Sequence, residues 1–292
     1  MHNERFLLIG WLTACANGQQ NIVAAPPGLE YPTAARIEHV DDFHVTKISD
    51  PYRWLENPDA PETKTWIEAQ NTLTFKYLEG AQSREVLRRR LTKLWNYERF
   101  GVPLKEGGRY FFTKNDGLQN QSVLYTTEDL KAQAKVLLDP NTLSADGTVA
   151  LHDYEVSPDG RYLAYGLARS GSDWIEWHVR EVQTALDLKD ELHWIKFTEV
   201  SWAKDNSGFY YSRYREPAPE QKMEEQNYFN KLYFHKLSTP QQSDVLIFEQ
   251  PEQKEWGFDP YVTEDGKYLL IRAWKGTDDK YLIFYQDLTS AK

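Results

Sequence analysis

Four times in this chain a tight polar turn runs straight into a short stretch of aromatic and aliphatic residues. The turns are Gly107-Gly108, Asp159-Gly160, Asn206-Ser207-Gly208 and Asp265-Gly266. They feed Arg109-Tyr110-Phe111-Phe112, Arg161-Tyr162-Leu163-Ala164-Tyr165, Phe209-Tyr210-Tyr211 and Lys267-Tyr268-Leu269-Leu270. Gly, Asp and Asn accept the backbone angles of a tight turn, and the residues that follow suit a pleated surface. Each unit is therefore predicted to be a turn feeding a strand. A second strand-like run follows each, at residues 122–126, 176–180, 231–235 and 281–285. The gap of roughly a dozen residues is that of the next antiparallel strand. The paired units recur every ~50 residues, the period of propeller blades.

The expected fold is therefore mainly β, an incomplete β-propeller with about four blades visible. A propeller must close its ring or leave bare sheet edges. Closure at four blades is one alternative, but the last run lies almost at Lys292 with no further strand to complete the circle. A longer parent chain is the simpler expectation. Composition agrees with a β-rich core: 40 % of residues are apolar, and there are 10 Trp and 18 Tyr.

Ahead of the repeats the pattern is helical. Asp59-Ala60-Pro61-Glu62 is predicted to open a helix, with Asp59 as N-cap and Glu62 three residues after it. Trp66, Gln70, Leu73 and Tyr77 follow at helical spacing up to Gly80. Ser83 opens a second helix with Val86, Leu87, Leu91 and Leu94 on one side. Such a stripe has to be buried against something. Helical periodicity fades near residue 98. The expected parts are a leader over residues 1–30, a helical segment over 31–97 and the partial propeller over 98–292.

The leader contains a short apolar run, residues 6–14, after Arg5, whose charge Glu4 cancels. It is too short to span a bilayer as a helix and is similar to the apolar part of a secretory signal. It ends in Leu12-Thr13-Ala14-Cys15, which resembles a bacterial lipoprotein cleavage box. Processing there would put a lipid on Cys15 and place the protein in the periplasm or on the outer membrane. An unprocessed chain would be cytoplasmic. A lipid on Cys15 is the only membrane tie expected.

Several functions are disfavoured. With 34 basic against 44 acidic residues the net charge is −10, which does not suit a nucleic-acid partner. Arg88-Arg89-Arg90 lies in a helical pattern and reads as a solvated face. Cys15 is the only cysteine, and the seven histidines show no HExxH spacing, so neither a metal site nor a cofactor is expected. Gly107-Gly108 is not a phosphate loop, because no Lys-Ser/Thr follows it. The acidic pairs Asp41-Asp42 and Glu224-Glu225 read as solvated.

Longer strings point to a family. They are Asp50-Pro51-Tyr52-Arg53-Trp54-Leu55-Glu56-Asn57, Trp66-Ile67-Glu68-Ala69-Gln70-Asn71 and Gly117-Leu118-Gln119-Asn120-Gln121-Ser122. Leu138-Asp139-Pro140-Asn141, Asp146-Gly147-Thr148-Val149-Ala150-Leu151 and Ser170-Gly171-Ser172-Asp173-Trp174 continue them in order. Together they resemble the prolyl oligopeptidase family of serine peptidases over residues 31–292. The resemblance implies an α/β-hydrolase domain capped by a seven-bladed propeller that restricts access. The helical segment would belong to the hydrolase domain, and about four of the seven blades would be present. It implies cleavage of short peptides after proline by a Ser, Asp and His that lie in the C-terminal part.

The sequence contains no G-x-S-x-G nucleophile turn. Ser170-Gly171-Ser172-Asp173 is its nearest imitation, and between two predicted strands it reads as a hairpin turn. The expected function is the N-terminal portion of a prolyl-specific serine endopeptidase, without the catalytic residues and inactive alone. Its partners would be short proline-containing peptides and the C-terminal hydrolase domain. The alternatives are a free-standing binding propeller or a pseudoenzyme. In the family an aromatic from the propeller lines an apolar subsite upstream of the proline pocket. Lys196-Phe197, before Val200-Ser201-Trp202, matches that position and makes Phe197 a candidate, the competing expectation being ordinary blade core. Trp256 and Thr277 fall near two further family positions on the same rim. Gly257 and Thr277 stand where the family often carries larger or sulfur-containing residues.

Overall fold

The computed structural model describes residues 29–217 and 227–290. The expected leader with Cys15, and the pair Glu224-Glu225, lie outside the described residues. Two compact units divide at Arg89 and Arg90. No helix among the described residues is long and apolar enough to cross a membrane.

In the first unit, β1 (Val40–Phe43) and β2 (Thr46–Ser49) form an antiparallel hairpin. Helix α1 (Pro61–Glu79) follows and ends at Gly80, as its spacing predicts. Its N-cap is Ala60 and not the expected Asp59. The reason is Pro61. A residue before proline is pushed to extended angles, here φ −62° and ψ 136°, which is the N-cap conformation, and proline fits the first helical position. Asp59 is left outside the helix, where it pairs with exposed Lys64 at 3.3 Å.

Part of the α1 stripe has a local partner. Thr63 is buried and donates to the Trp54 carbonyl at 3.0 Å. Trp66 packs edge-on against Trp54 at 6.4 Å. The next helix, α2 (Arg84–Trp95), runs across the division between the units. Its residues Val86, Leu87, Leu91 and Leu94 are 49–60 % exposed.

The second unit is built of four antiparallel sheets. The first holds β3 (Arg99–Phe100), β4 (Leu104–Glu106), β5 (Arg109–Asn115), β6 (Val123–Thr127) and β7 (Lys135–Leu138). The second holds β8 (Val149–Val156), β9 (Tyr162–Arg169), β10 (Ile175–Glu181) and β11 (Leu186–Ile195). The third holds β12 (Ser201–Trp202), β13 (Gly208–Arg213), β14 (Lys231–Lys236) and β15 (Val245–Phe248). The fourth holds β16 (Trp256–Val262), β17 (Tyr268–Lys275) and β18 (Leu282–Asp287). The turn-fed strands of the repeat are β5, β9, β13 and β17, and each pairs with the strand that follows it. This is a mainly β fold, a partial propeller whose blades are these four sheets.

Strand alternation makes the core. Side chains point to opposite faces at successive positions, so each inner strand feeds two apolar layers. On β13, Phe209 and Tyr211 enter the layer shared with the second sheet, beside Trp177 and Leu192. Tyr210, between them, enters the layer shared with the fourth sheet, beside Phe258, Leu269 and Ile271. A third layer packs Phe111 and Leu124 of the first sheet against Leu163 and Tyr165 of the second. Each fully buried Leu or Phe in these layers contributes about 1.5–3 kcal/mol. Among the described residues no such layer joins the fourth sheet to the first.

Polar ties cross the same junctions. His235 on β14 is fully buried, with Nε2 2.9 Å from Asp190 Oδ1 of the second sheet and Nδ1 2.8 Å from Asp244 Oδ1. Asp244 also accepts from the Tyr211 hydroxyl at 2.6 Å, and Asp190 accepts from the Ser238 backbone N–H at 2.6 Å. Trp202 donates its indole N–H to the Glu155 carbonyl of β8 at 3.1 Å.

Candidate functional site

The loop from β11 to β12 is anchored by alternate residues. Val200 is buried in the apolar layer between the second and third sheets. Thr198 is buried and donates its hydroxyl to the Phe258 carbonyl of β16 at 3.2 Å. Phe197, between these anchors and Ile195, is turned outward with φ +57° and is 50 % exposed. It is not blade core.

Strand alternation supplies the facing wall. On β17, Ile271 and Ala273 are buried in the core, so Arg272 and Trp274 take the opposite face. On β16, Gly257 lies opposite Trp274 and Asp259 lies opposite Arg272. The Trp274 indole covers Gly257, where any Cβ would collide with the ring. Phe197 meets Trp274 edge to face, with ring centroids 6.3 Å apart and planes at 81°. Arg272 donates to Asp259 at 2.6 Å, and that carboxylate raises the Arg272 pKa further.

These groups line an open cleft of about 870 Å³, with Tyr214, Tyr228 and Tyr281 completing its aromatic walls and Thr277 on its rim. The size suits a small ligand or a few side chains of a peptide. Tyr214 is nearly buried, and burial, with Asp259 nearby, pushes its hydroxyl up to about 12. It stays a neutral hydrogen-bonding group at ordinary pH. Behind Phe197, Lys196 lies 3.8 Å from the Trp174 ring centroid and bonds Asn227 at 3.2 Å. Burial lowers the Lys196 pKa, while Asp173 acts to raise it.

Of the three residues singled out in the sequence, the structure brings Phe197 and Thr277 to one cleft. Trp256 is placed elsewhere. It begins β16 one residue before Gly257, so its ring falls on the other face, 6.3 Å from Phe284 and packed on the core. Trp274, Tyr214 and the Asp259–Arg272 pair were not singled out. The usable signal was the alternation in Ile271-Arg272-Ala273-Trp274, which puts an Arg and a Trp on the face away from the core.

The cleft can hold an apolar or aromatic group beside an ion pair. Among the described residues its lining holds no serine, cysteine or histidine, so no Ser–His or Cys–His pair for acyl transfer is present there. The Ser170–Asp173 segment is a hairpin turn between β9 and β10, as predicted. Ser170 and Gly171 have φ +50° and +73°, and Ser172 Oγ accepts from the Trp174 backbone N–H at 3.1 Å. Outside the cleft, among the described residues, one group of side chains has metal-ligand character. Glu176, His178 and Glu191 of the second sheet hold their donor atoms within 4.8 Å of one another.

Residues 32–292 match the family described as the prolyl oligopeptidase N-terminal beta-propeller domain. The prolyl endopeptidase of Elizabethkingia meningoseptica is 37 % identical over 89 % of this chain and 36 % of its own length. Prolyl oligopeptidase A of Amanita bisporigera is 34 % identical over 88 % of this chain and 38 % of its own. Prolyl oligopeptidase B of Galerina marginata, solved with a 25mer macrocyclization substrate, superposes with a TM-score of 0.72. It is 31 % identical, over 88 % of this chain and 39 % of that one. The chain thus spans less than two-fifths of the length of these relatives. Its blades, its helical lead-in and its sequence all place it in the prolyl oligopeptidase family, as the N-terminal propeller portion.

Proposed function

We propose that this chain is the access-restricting and peptide-docking part of a serine endopeptidase that acts after proline in short peptides. The observation that carries this reading is the cleft. Phe197 and Trp274 form an exposed aromatic corner beside the Asp259–Arg272 pair, with no serine, cysteine or histidine among the described lining residues. An apolar side chain upstream of the proline would sit in that corner. Phe197, Thr277 and, through the packing of β16, Trp256 would shape this subsite.

The catalytic Ser, Asp and His belong, in this reading, to a C-terminal α/β-hydrolase domain. That domain would cover the exposed side of α2 formed by Val86, Leu87, Leu91 and Leu94. A lipid on Cys15 would hold a processed chain at the periplasmic side of the outer membrane. A free-standing four-bladed binding module has less support, because it needs an apolar layer between the fourth and first sheets and the described residues hold none.

Two measurements on the purified chain test the proposal. Titration with a blocked proline-containing peptide bearing an upstream apolar residue should saturate a change in tryptophan fluorescence. A chromogenic prolyl-amide substrate should not be turned over. Turnover that a serine-reactive phosphonate abolishes would refute the assignment of the catalytic residues elsewhere. A peptide that never perturbs the fluorescence would refute the cleft.

A further inference from the structure

We propose that the second sheet carries a site for a divalent transition-metal ion of the zinc class, held by Glu176, His178 and Glu191 with His193 at its rim. β10 and β11 are antiparallel neighbours, and His178 lies directly opposite Glu191. Trp177, Val179 and Leu192 enter the apolar layer toward the third sheet. Alternation therefore sends Glu176, His178 and Glu191 to the other face.

A bulge brings in the second histidine. The β10–β11 register shifts between Ile175 and Trp177, and Trp194, in the strand opposite, has φ +64°. A non-glycine residue there is strained, and a bulge re-aims the side chains around it. The strained backbone is held from outside the sheet. Gln241 accepts from the His193 N–H at 3.2 Å and donates to the His193 carbonyl at 3.1 Å. The Tyr214 N–H donates to the Trp194 carbonyl at 2.9 Å. The outcome is that His193 Nε2 lies 3.4 Å from Glu191 Oε1, and its Nδ1 lies 4.0 Å from Glu176 Oε1.

One atom in this group lacks a partner. His178 Nε2 is buried and accepts or donates no hydrogen bond. Its ring is fixed by stacking on Tyr165, centroids 5.4 Å apart. Leaving a buried polar atom unsatisfied is costly, and a metal bond at Nε2 would remove that cost. Arg169 already holds Glu176 through Oε2 at 2.8 Å. That orients the carboxylate with its other oxygen toward the histidines, as an outer partner of a ligand does.

The donor set selects the ion. Imidazole nitrogens with carboxylate oxygens suit zinc, whereas magnesium and calcium prefer oxygen alone. Bonds of about 2.0–2.2 Å require the donor atoms to draw together from their present spacing. Glu191 and His193 can move to allow this, since their side chains are 55 % and 38 % exposed. The ion would fasten the edge strand β11 to β10, and β11 leads directly into Phe197.

The test is a titration of the purified, tag-free chain with Co2+, followed by its visible absorption, and with Zn2+ by calorimetry. One equivalent should bind, and Zn2+ should raise the thermal unfolding midpoint. The exposed substitutions Glu191→Gln and His193→Ala, checked for native far-UV dichroism, should each weaken Zn2+ binding about tenfold or more. The double variant His178→Asn/Glu191→Gln controls for histidines and cysteine elsewhere. Binding by the unaltered chain no tighter than by Glu191→Gln, or an equal effect of Zn2+ on the unfolding of both, would overturn the proposal.

Discussion

Gly257 and Trp274 face each other across β16 and β17, and the indole of Trp274 fills the space a side chain on Gly257 would need. A small residue at one position and a large one at the other thus make a single wall of the cleft. Gly257→Ala should force the indole to move, at a cost of about 1–3 kcal/mol in stability. Urea unfolding would measure that cost. The same variant should bind a proline-containing peptide more weakly, because the displaced ring no longer meets Phe197.

Phe197→Ala should behave differently. Its ring is half exposed and belongs to no core layer, so stability should change by less than about 0.5 kcal/mol. Peptide affinity should fall about tenfold, which corresponds to ~1.4 kcal/mol. Fluorescence titration and urea unfolding on one preparation would show whether the two effects separate in this way.

The buried His235 should give the protein a pH-dependent stability. Burial alone would lower its pKa, but hydrogen bonds to Asp190 and Asp244 outweigh this and raise it to about 9. Both ring nitrogens can donate only when the imidazole is protonated. The raised pKa means the contribution is complete below the ordinary histidine value of 6.5 and is lost as pH rises through about 9. The urea midpoint should fall across that window. His235→Asn should remove this fall and cost about 3–5 kcal/mol at neutral pH, because two carboxylates would be left buried without their cation.

Glu155 on β8 should act in a lower pH range. Burial raises its carboxyl to about 7, with Asp153, Glu199 and Glu106 adding repulsion. A carboxyl raised in the folded state binds its proton more tightly there than in the unfolded chain. Its penalty is therefore absent below about 4.3 and complete above about 7. Glu155→Gln should stabilise the protein at pH 8 by about 1–2 kcal/mol, allowing for partial exposure. At pH 4 the two proteins should unfold at nearly the same urea concentration.

The sequence shows the middle of each blade better than its edges. β5, β9, β13 and β17 announce themselves through Gly and Asp turns, and each next strand follows at a regular distance. The first and last strands of a blade carry weaker marks. β12 is only Ser201–Trp202, and β16 contains Pro260, a residue that normally argues against a strand. The helix start illustrates a local rule overridden by another. Asp59 is the better capping side chain, yet Pro61 fixes the cap one residue later, at Ala60. In the cleft, Phe197 was legible only through family resemblance, since nothing in its neighbours says that Thr198 and Val200 are anchored inward. Alternation along Ile271 to Trp274 could have put Trp274 off the core, but its cross-strand partner Gly257 was hidden because it lies in a different strand. The pairing of His178 with Glu191 was hidden for the same reason, since cross-strand neighbours have no fixed spacing along the chain.

The apolar layers join each sheet only to the next, and that has a consequence for how the second unit comes apart. Stability in such a row resides in its junctions, and each junction is felt only by the two sheets that share it. Among the described residues, the second and third sheets are each held by two junctions, while the first and fourth are held by one. Opening should therefore begin at the outer sheets and move inward. The cleft draws one wall from the fourth sheet and Phe197 from the loop between the second and third. Fraying of the outer sheet would thus dismantle the binding surface while the interior of the row is still folded.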